Sequence, residues 1–459
     1  MDNPYFSGPF GPVEREIDEG NLTVEGEIPR DLHGSYVRNG PNAKYAPKGR
    51  YHWFDGDGML HALRFGGGRV AYRNRYVRTR GLAADDAKEV AQWSGLLEPT
   101  KANPKGAPYK DTANTDVVAF QNRLIASWYI CGEPYVVDPE TLETEGPTRF
   151  GHDAPLRISA HAKVDERTRE LLFFNYGVTE PYLHYGVVDE QLALRHYVPI
   201  DLPGPRLPHD MAATENYSIL MDLPFFYRPE ALQKKKWVVG YYPDLPSRFG
   251  IVPRHGSDVR WFEAEPCYIY HIANAWEEDN AVVMVGCRVV DPAPAPDPQD
   301  GEWAKIMANL RITATFHRWR FDLETGETTE EDLDDRNNEF PAINNRYLGR
   351  KSRYSYHVGL GKTQTLTFAS VIKYDAETDR ADTFEFGDRV VGSEVAFGPA
   401  DGGTAEDDGY LSTFVTNLDT MMSEGWLFDA RAVADGPIAK IKLPQRVPLG
   451  FHGCWLGGS

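Results

Sequence analysis

Apolar and polar residues alternate in short runs along nearly the whole chain, and the runs close at Gly, Pro, Asp or Asn. A period of two marks strands with one buried face, whereas a helix needs apolar positions three and four apart. Residues 59–77, MLHALRFGGGRVAYRNRYV, read as a strand, a turn at Gly66-Gly67-Gly68 and a returning strand. Glycine supplies the positive φ that such a tight hairpin requires. Other hairpins open their turn with an aspartate, at Asp138, Asp189, Asp322, Asp375 and Asp429. A carboxylate there accepts backbone N–H groups within the turn. The gap from Asp138 to Asp189 is 51 residues, from Asp322 to Asp375 it is 53, and from Asp375 to Asp429 it is 54. A recurrence of about fifty residues is the length of a four-stranded propeller blade. A further hairpin at Asp165 breaks the spacing. The pattern predicts an all-β fold, a β-propeller in preference to a large sandwich.

Helical periodicity is confined to residues 81–97 and 228–237, both expected as excursions from one face of the sheet-built body. DPAPAPDPQDG at 291–301 is a proline-rich loop, and no shift in composition divides residues 1–459 into separate domains.

Composition narrows the chemistry. A net charge of −19 repels phosphate and excludes nucleic acid as a partner. Four scattered cysteines, Cys131, Cys267, Cys287 and Cys454, form neither a disulfide framework nor a thiolate zinc site. The first residues lack the basic and apolar segments of a signal peptide, and no run of 18 apolar residues occurs. A cytoplasmic protein is expected, and the glycosylation patterns at Asn21 and Asn216 carry no weight in that setting. Asp55-Gly56-Asp57-Gly58 lacks the remaining ligands of a calcium loop and reads as a turn.

Of the 13 histidines, His161, His209, His271 and His452 each adjoin a strand-like run, separated in turn by 48, 62 and 181 residues. Such separations rule out a local metal motif, so a shared ion would be reached from distant parts of the fold. Inner strands of different propeller blades point at one axis and offer that geometry. A structural zinc and a catalytic iron both remain open on these residues alone, since four ligands close a tetrahedral zinc but leave two positions free on a six-coordinate ion.

The surrounding words occur in order from residue 30 to residue 455: RDLHGSYVRNGPN, YHWFDGDGML, KDTANTDVV, SAHAKVDERTREL, HDMAATENYSI, NAWEE, NNEFPAIN and GFHGCW. Over essentially its whole length the sequence resembles the carotenoid cleavage oxygenase family, non-haem iron enzymes that split conjugated carbon–carbon double bonds with O2. The resemblance implies a seven-bladed propeller with helices and loops capping the active-site face. It implies Fe(II) held by His161, His209, His271 and His452, which would also be the catalytic centre. In the family three of these imidazoles lean on glutamates. Two of the positions match Glu339 and Glu394, while the third falls on Ile130, which cannot accept a hydrogen bond. Another acceptor, or Glu133 from nearby, would then have to orient one imidazole, His209 being the candidate.

The resemblance also frames the substrate as a hydrophobic conjugated alkene in a pocket of aromatic and aliphatic walls. Phe54, Leu97, Tyr129 and Ile130 are the expected lining. Phenol-cleaving branches, of lignostilbene and isoeugenol type, hold the ring hydroxyl with a Tyr and a Lys, whose places here fall on Leu97 and Tyr129. That substitution shifts the expectation toward an apocarotenoid, with a stilbenoid or phenylpropene as the alternative. A propeller that binds a polyene or a structural zinc without turnover is the reading outside catalysis. Residues 220–237 set Phe225, Phe226 and Tyr227 ahead of Lys234, Lys235 and Lys236. An apolar group beside a basic run suggests a peripheral membrane contact, against which stands a loop packing its own aromatics.

Overall fold

The computed structural model describes residues 3–234 and 238–458. Seven sheets of four to six strands, each sharing one antiparallel meander, form the blades of a propeller. The inner strands of blades two to six are Asp116–Phe120, Lys163–Asp165, Ala212–Ala213, Tyr268–Glu278 and Asn338–Ala342, and that of blade seven includes Ala396–Pro399.

Blade one is built from both ends of the chain. Its innermost strand, Gly453–Gly457, pairs with Gly34–Pro41, followed outward by Gly58–Gly66 and Arg69–Tyr76. The opposite exchange closes blade seven, where Val24–Gly26 adds to the edge of Pro437–Lys442. The ring is therefore clasped twice, and both clasps hide sheet edges.

The aspartate turns all fall at one place, between the third and fourth strands of a blade. Asp138 Oδ1 accepts from Glu140 N and Thr141 N at 3.0 and 2.8 Å, and Asp189, Asp322, Asp375 and Asp429 make the same kind of bond to the residue two ahead. In blade one that turn is Gly67-Gly68, with φ of 59° and 75°. Asp165 is the same device two turns earlier, between the first and second strands of blade three, which is why it broke the spacing. Blade four carries the hairpin Phe225–Tyr227 with Val239–Tyr241 as an insertion, lengthening its repeat.

The helical expectations need correction. Only Arg80–Asp86 of residues 81–97 is helical, capped by Thr79 Oγ1 on Leu82 N. Glu89 then turns through a φ of 53°, and the Asp85 carboxylate takes Gln92 N at 2.8 Å, which ends the helix. Of residues 228–237 only Pro229–Leu232 is helical, with 235–237 outside the described residues. A helix the periodicity did not show, Ala304–Leu310, follows the proline-rich loop. It packs Ile306, Met307 and Leu310 against Tyr5, Trp53 and Phe451 in an apolar cap. Phe225, Phe226 and Tyr227 are each only 7% exposed, so these aromatics pack inward. Among the described residues no helix is long and apolar enough to cross a membrane.

Candidate metal centre

Inner strands begin at the axis on the capped face, and the candidate ligands sit at those beginnings. His161 lies just before the inner strand of blade three, His209 before that of blade four, His271 within that of blade five and His452 directly before that of blade one. Their ligand nitrogens all lie within 4.8 Å of one another, and the four residues are buried.

Local backbone distortions aim them. His161 adopts a φ of 66°, a left-handed conformation uncommon outside glycine, held by Asp116 Oδ2 accepting its backbone N–H at 2.8 Å. His271 sits where the pairing of Tyr268–Glu278 slips between Ile269 and Ile272. Such a bulge re-aims a side chain that regular alternation would point elsewhere. Asp210 Oδ2 steadies it by accepting Ile272 N at 2.8 Å, and its other oxygen pairs with Lys163 at 2.7 Å. Neither Asp116 nor Asp210 was singled out from the sequence, although Asp210 directly follows His209.

Behind the ring stand the carboxylates. Glu339 Oε2 accepts from His271 Nδ1, and Glu394 Oε1 from His452 Nδ1 at 3.1 Å. These bonds fix the Nδ1–H tautomer, so the Nε2 lone pair of each ring faces the axis. His161 Nε2 and His271 Nε2 are buried without a hydrogen-bond partner. A buried polar atom left unpaired is costly unless something else satisfies it. Four convergent imidazoles with carboxylates holding two of them from behind fit a divalent transition metal.

Burial and mutual repulsion push His161, His209 and His271 well below the ordinary histidine value, so the three rings are neutral. Burial acts on His452 in the same sense, but Glu394 overrides it and raises that group. Desolvation also raises Glu339 to about 8.

His209, like His161, has no carboxylate behind its ring among the described residues. None of them accepts a hydrogen bond from the His209 ring; Tyr270 and Tyr129 pack on it at 5.1 and 5.8 Å between centroids. Ile130 lies in the turn beside Tyr129, and Glu133 is turned to Arg80 at 2.9 Å instead. The expected lining residue Phe54 meets Tyr129 edge-on at 5.0 Å and Phe451 at 4.9 Å, and Leu97 packs on the same cap cluster. Phe340 stacks between His271 and His452. The cap side of the centre is thus aromatic. Asp57 in the suspected turn is tied to Lys110, and Asp55 takes His52 N and Leu96 N, so both carboxylates serve structural bonds.

A seven-bladed propeller with four imidazoles converging on its axis defines a class of metal-dependent proteins, and similarity places the chain within it. The family model for retinal pigment epithelial membrane protein matches residues 10–457. A carotenoid 9,10(9′,10′)-cleavage dioxygenase of Pisum sativum is 35% identical, with 98% of this chain and 89% of that protein covered. An isoeugenol monooxygenase of Pseudomonas nitroreducens is 30% identical over 99% of this chain and 98% of its own. The crystal structure of a Pseudomonas brassicacearum lignostilbene dioxygenase superposes with a TM-score of 0.89 at 29% identity, covering 100% of this chain and 99% of that one. The chain belongs to this family of carotenoid-cleavage-type dioxygenases.

Proposed function

We propose that the chain is an Fe(II)-dependent oxygenase that cleaves a conjugated C=C bond of an apocarotenoid with O2, giving two carbonyl products. The observation that carries this reading is the buried set of four histidines, two of them locked by Glu339 and Glu394. Neutral imidazoles would leave a ferrous ion its full charge, and the ion would supply the activation of dioxygen. The rest falls to the chain. His161, His209, His271 and His452 hold the metal, and the glutamates keep two of the rings in one tautomer. Phe54, Tyr129, Tyr270, Phe340 and Phe451 present ring faces and edges around the centre, a surface that suits a flat polyene and excludes water. The similarity to plant carotenoid-cleaving relatives supports the carotenoid side of the reading.

A phenolic alkene is the second reading, favoured by the hydroxyls of Tyr129 and Tyr270 beside His209. Desolvation raises both above the ordinary tyrosine value, so each offers a hydroxyl donor to a substrate oxygen.

Anaerobic metal analysis followed by aerobic turnover of β-apo-8′-carotenal, resveratrol and isoeugenol tests the proposal. One ferrous ion per chain and aldehydes from the apocarotenal alone are expected. Vanillin or hydroxybenzaldehydes would transfer the chain to the phenolic reading, and zinc with no turnover would overturn the enzyme reading. Ala substitution at His161, His209, His271 or His452 is expected to abolish stoichiometric metal, read by elemental analysis.

A further inference from the structure

Opposite the aromatic cap, the metal centre opens onto a cavity of about 420 Å³ along the propeller axis. Its walls are the inner strands as they run away from the ligands, and His161, His271 and His452 form its floor. The cavity mixes apolar wall residues, Val118, Ile272, Ala342 and Phe397 among them, with charged ones. Asp116, Glu166, Asp210 and Glu394 line it against Lys163 and Arg346, and Lys163 is already neutralised by Asp210. The two unpartnered nitrogens, His161 Nε2 and His271 Nε2, belong to residues of this floor.

The far end of the cavity is crossed by residues 343–349, which follow the inner strand of blade six. Three asparagines pin this strap. Asn345 Nδ2 reaches blade three, donating to Val164 O at 3.2 Å and Glu166 Oε1 at 3.0 Å. Asn344 Nδ2 donates to Glu406 O, on the loop leading into the second strand of blade seven, at 2.8 Å. Asn274 of blade five, itself buried, takes Gly349 N at 3.1 Å and donates to Tyr347 O at 3.1 Å. The Asn345 bonds are exposed, whereas the Asn274 bonds are buried or partly so, which makes Asn345 the weaker latch.

We propose that this axial channel is the path by which the divalent metal ion enters and leaves the four-histidine site, with the strap 343–349 as its gate and Asn345 as the latch. The inference rests on the metal-binding part of the function proposed above and not on the reaction. A hydrated dication is expensive to strip of water beside aromatic rings, and carboxylates that replace its water ligands one by one lower that cost. The axial approach to the histidines carries such carboxylates.

The test follows Fe2+ uptake by the metal-free protein under anaerobic conditions, sampled by gel filtration and elemental analysis, and Fe2+ release into 2,2′-bipyridine. Asn345→Ala breaks both latch bonds and is expected to speed uptake and release about tenfold. Glu166→Gln keeps an acceptor for Asn345 but removes the charge, and should slow uptake with final stoichiometry unchanged. Ala342→Phe, narrowing the half-buried wall, should slow both directions. Phe54→Ala, which opens the cap side, should leave the rates as they were. Wild-type rates in Asn345→Ala and Glu166→Gln, or faster release from Phe54→Ala, would overturn the channel alone. A wild-type protein that takes up no divalent metal would overturn the channel and the metal reading together.

Discussion

His161 and Phe340 show where single residues bear strain for the sake of the centre. Both are non-glycine residues at positive φ, 66° and 50°, a conformation that costs about 1–3 kcal/mol each and persists only where the surroundings enforce it. Phe340 directly follows Glu339, whose Oε2 accepts Phe340 N at 2.7 Å as well as the imidazole of His271. One carboxylate therefore holds both a ligand and the bend that presents the ring packed against it. Glu339→Gln is expected to weaken metal binding about 10–100-fold, measured by competition with a chelator of known affinity. Ile130→Glu should keep full metal and give His209 an acceptor, and outright loss of metal would show that position 130 does not face that ring. The histidines stood out by the strand-like runs beside them, whereas Glu339 and Glu394 were reached only through the family resemblance. Asp116, Asp210 and Tyr270 were not legible, since they act on a backbone N–H or by ring contact, and neither leaves a spacing.

At the level of elements, the turn aspartates were readable because their job is local. Each bonds to a backbone N–H two or three residues ahead, so the signal lies within one hairpin. Asp138→Ala should lower stability by about 1 kcal/mol in urea unfolding, with no effect on metal content. The helix Ala304–Leu310 escaped notice because its apolar face is explained only by the cap it meets, and the helix at 81–97 was overstated because Asp85 spends its carboxylate on Lys110 and Gln92 N. The second strand of blade six carries His357, wholly buried and bonded to Asn338 and Ser355. Burial lowers it from its ordinary value to about 3. Below pH 6.5 the unfolded chain takes a proton that the folded one refuses until about pH 3, so His357 makes stability fall as pH drops across that window. His357→Gln is expected to flatten the slope of unfolding free energy by about 1.4 kcal/mol per pH unit there, read from denaturant melts at stepped pH.

Over the whole molecule, metal binding would be coupled to ring closure. The ligands come from blades three, four, five and one, so a bound ion ties blades that do not all neighbour one another. Removing it by chelation should lower the melting temperature, and the loss should be reversed in proportion to added ferrous ion. Blade number was not readable from the repeat alone, because blade four is stretched by its inserted hairpin and blade one is assembled from opposite ends of the chain.

That split blade sets a clock on synthesis. His452 and the strand Gly453–Gly457 lie more than 180 residues after His271, behind two complete blades. A ribosome therefore delivers three ligands long before the fourth. Until the last strand emerges and zips onto Gly34–Pro41, the growing polypeptide has no finished four-histidine pocket in which a metal ion could sit. The metal site is withheld until the protein that contains it has been made.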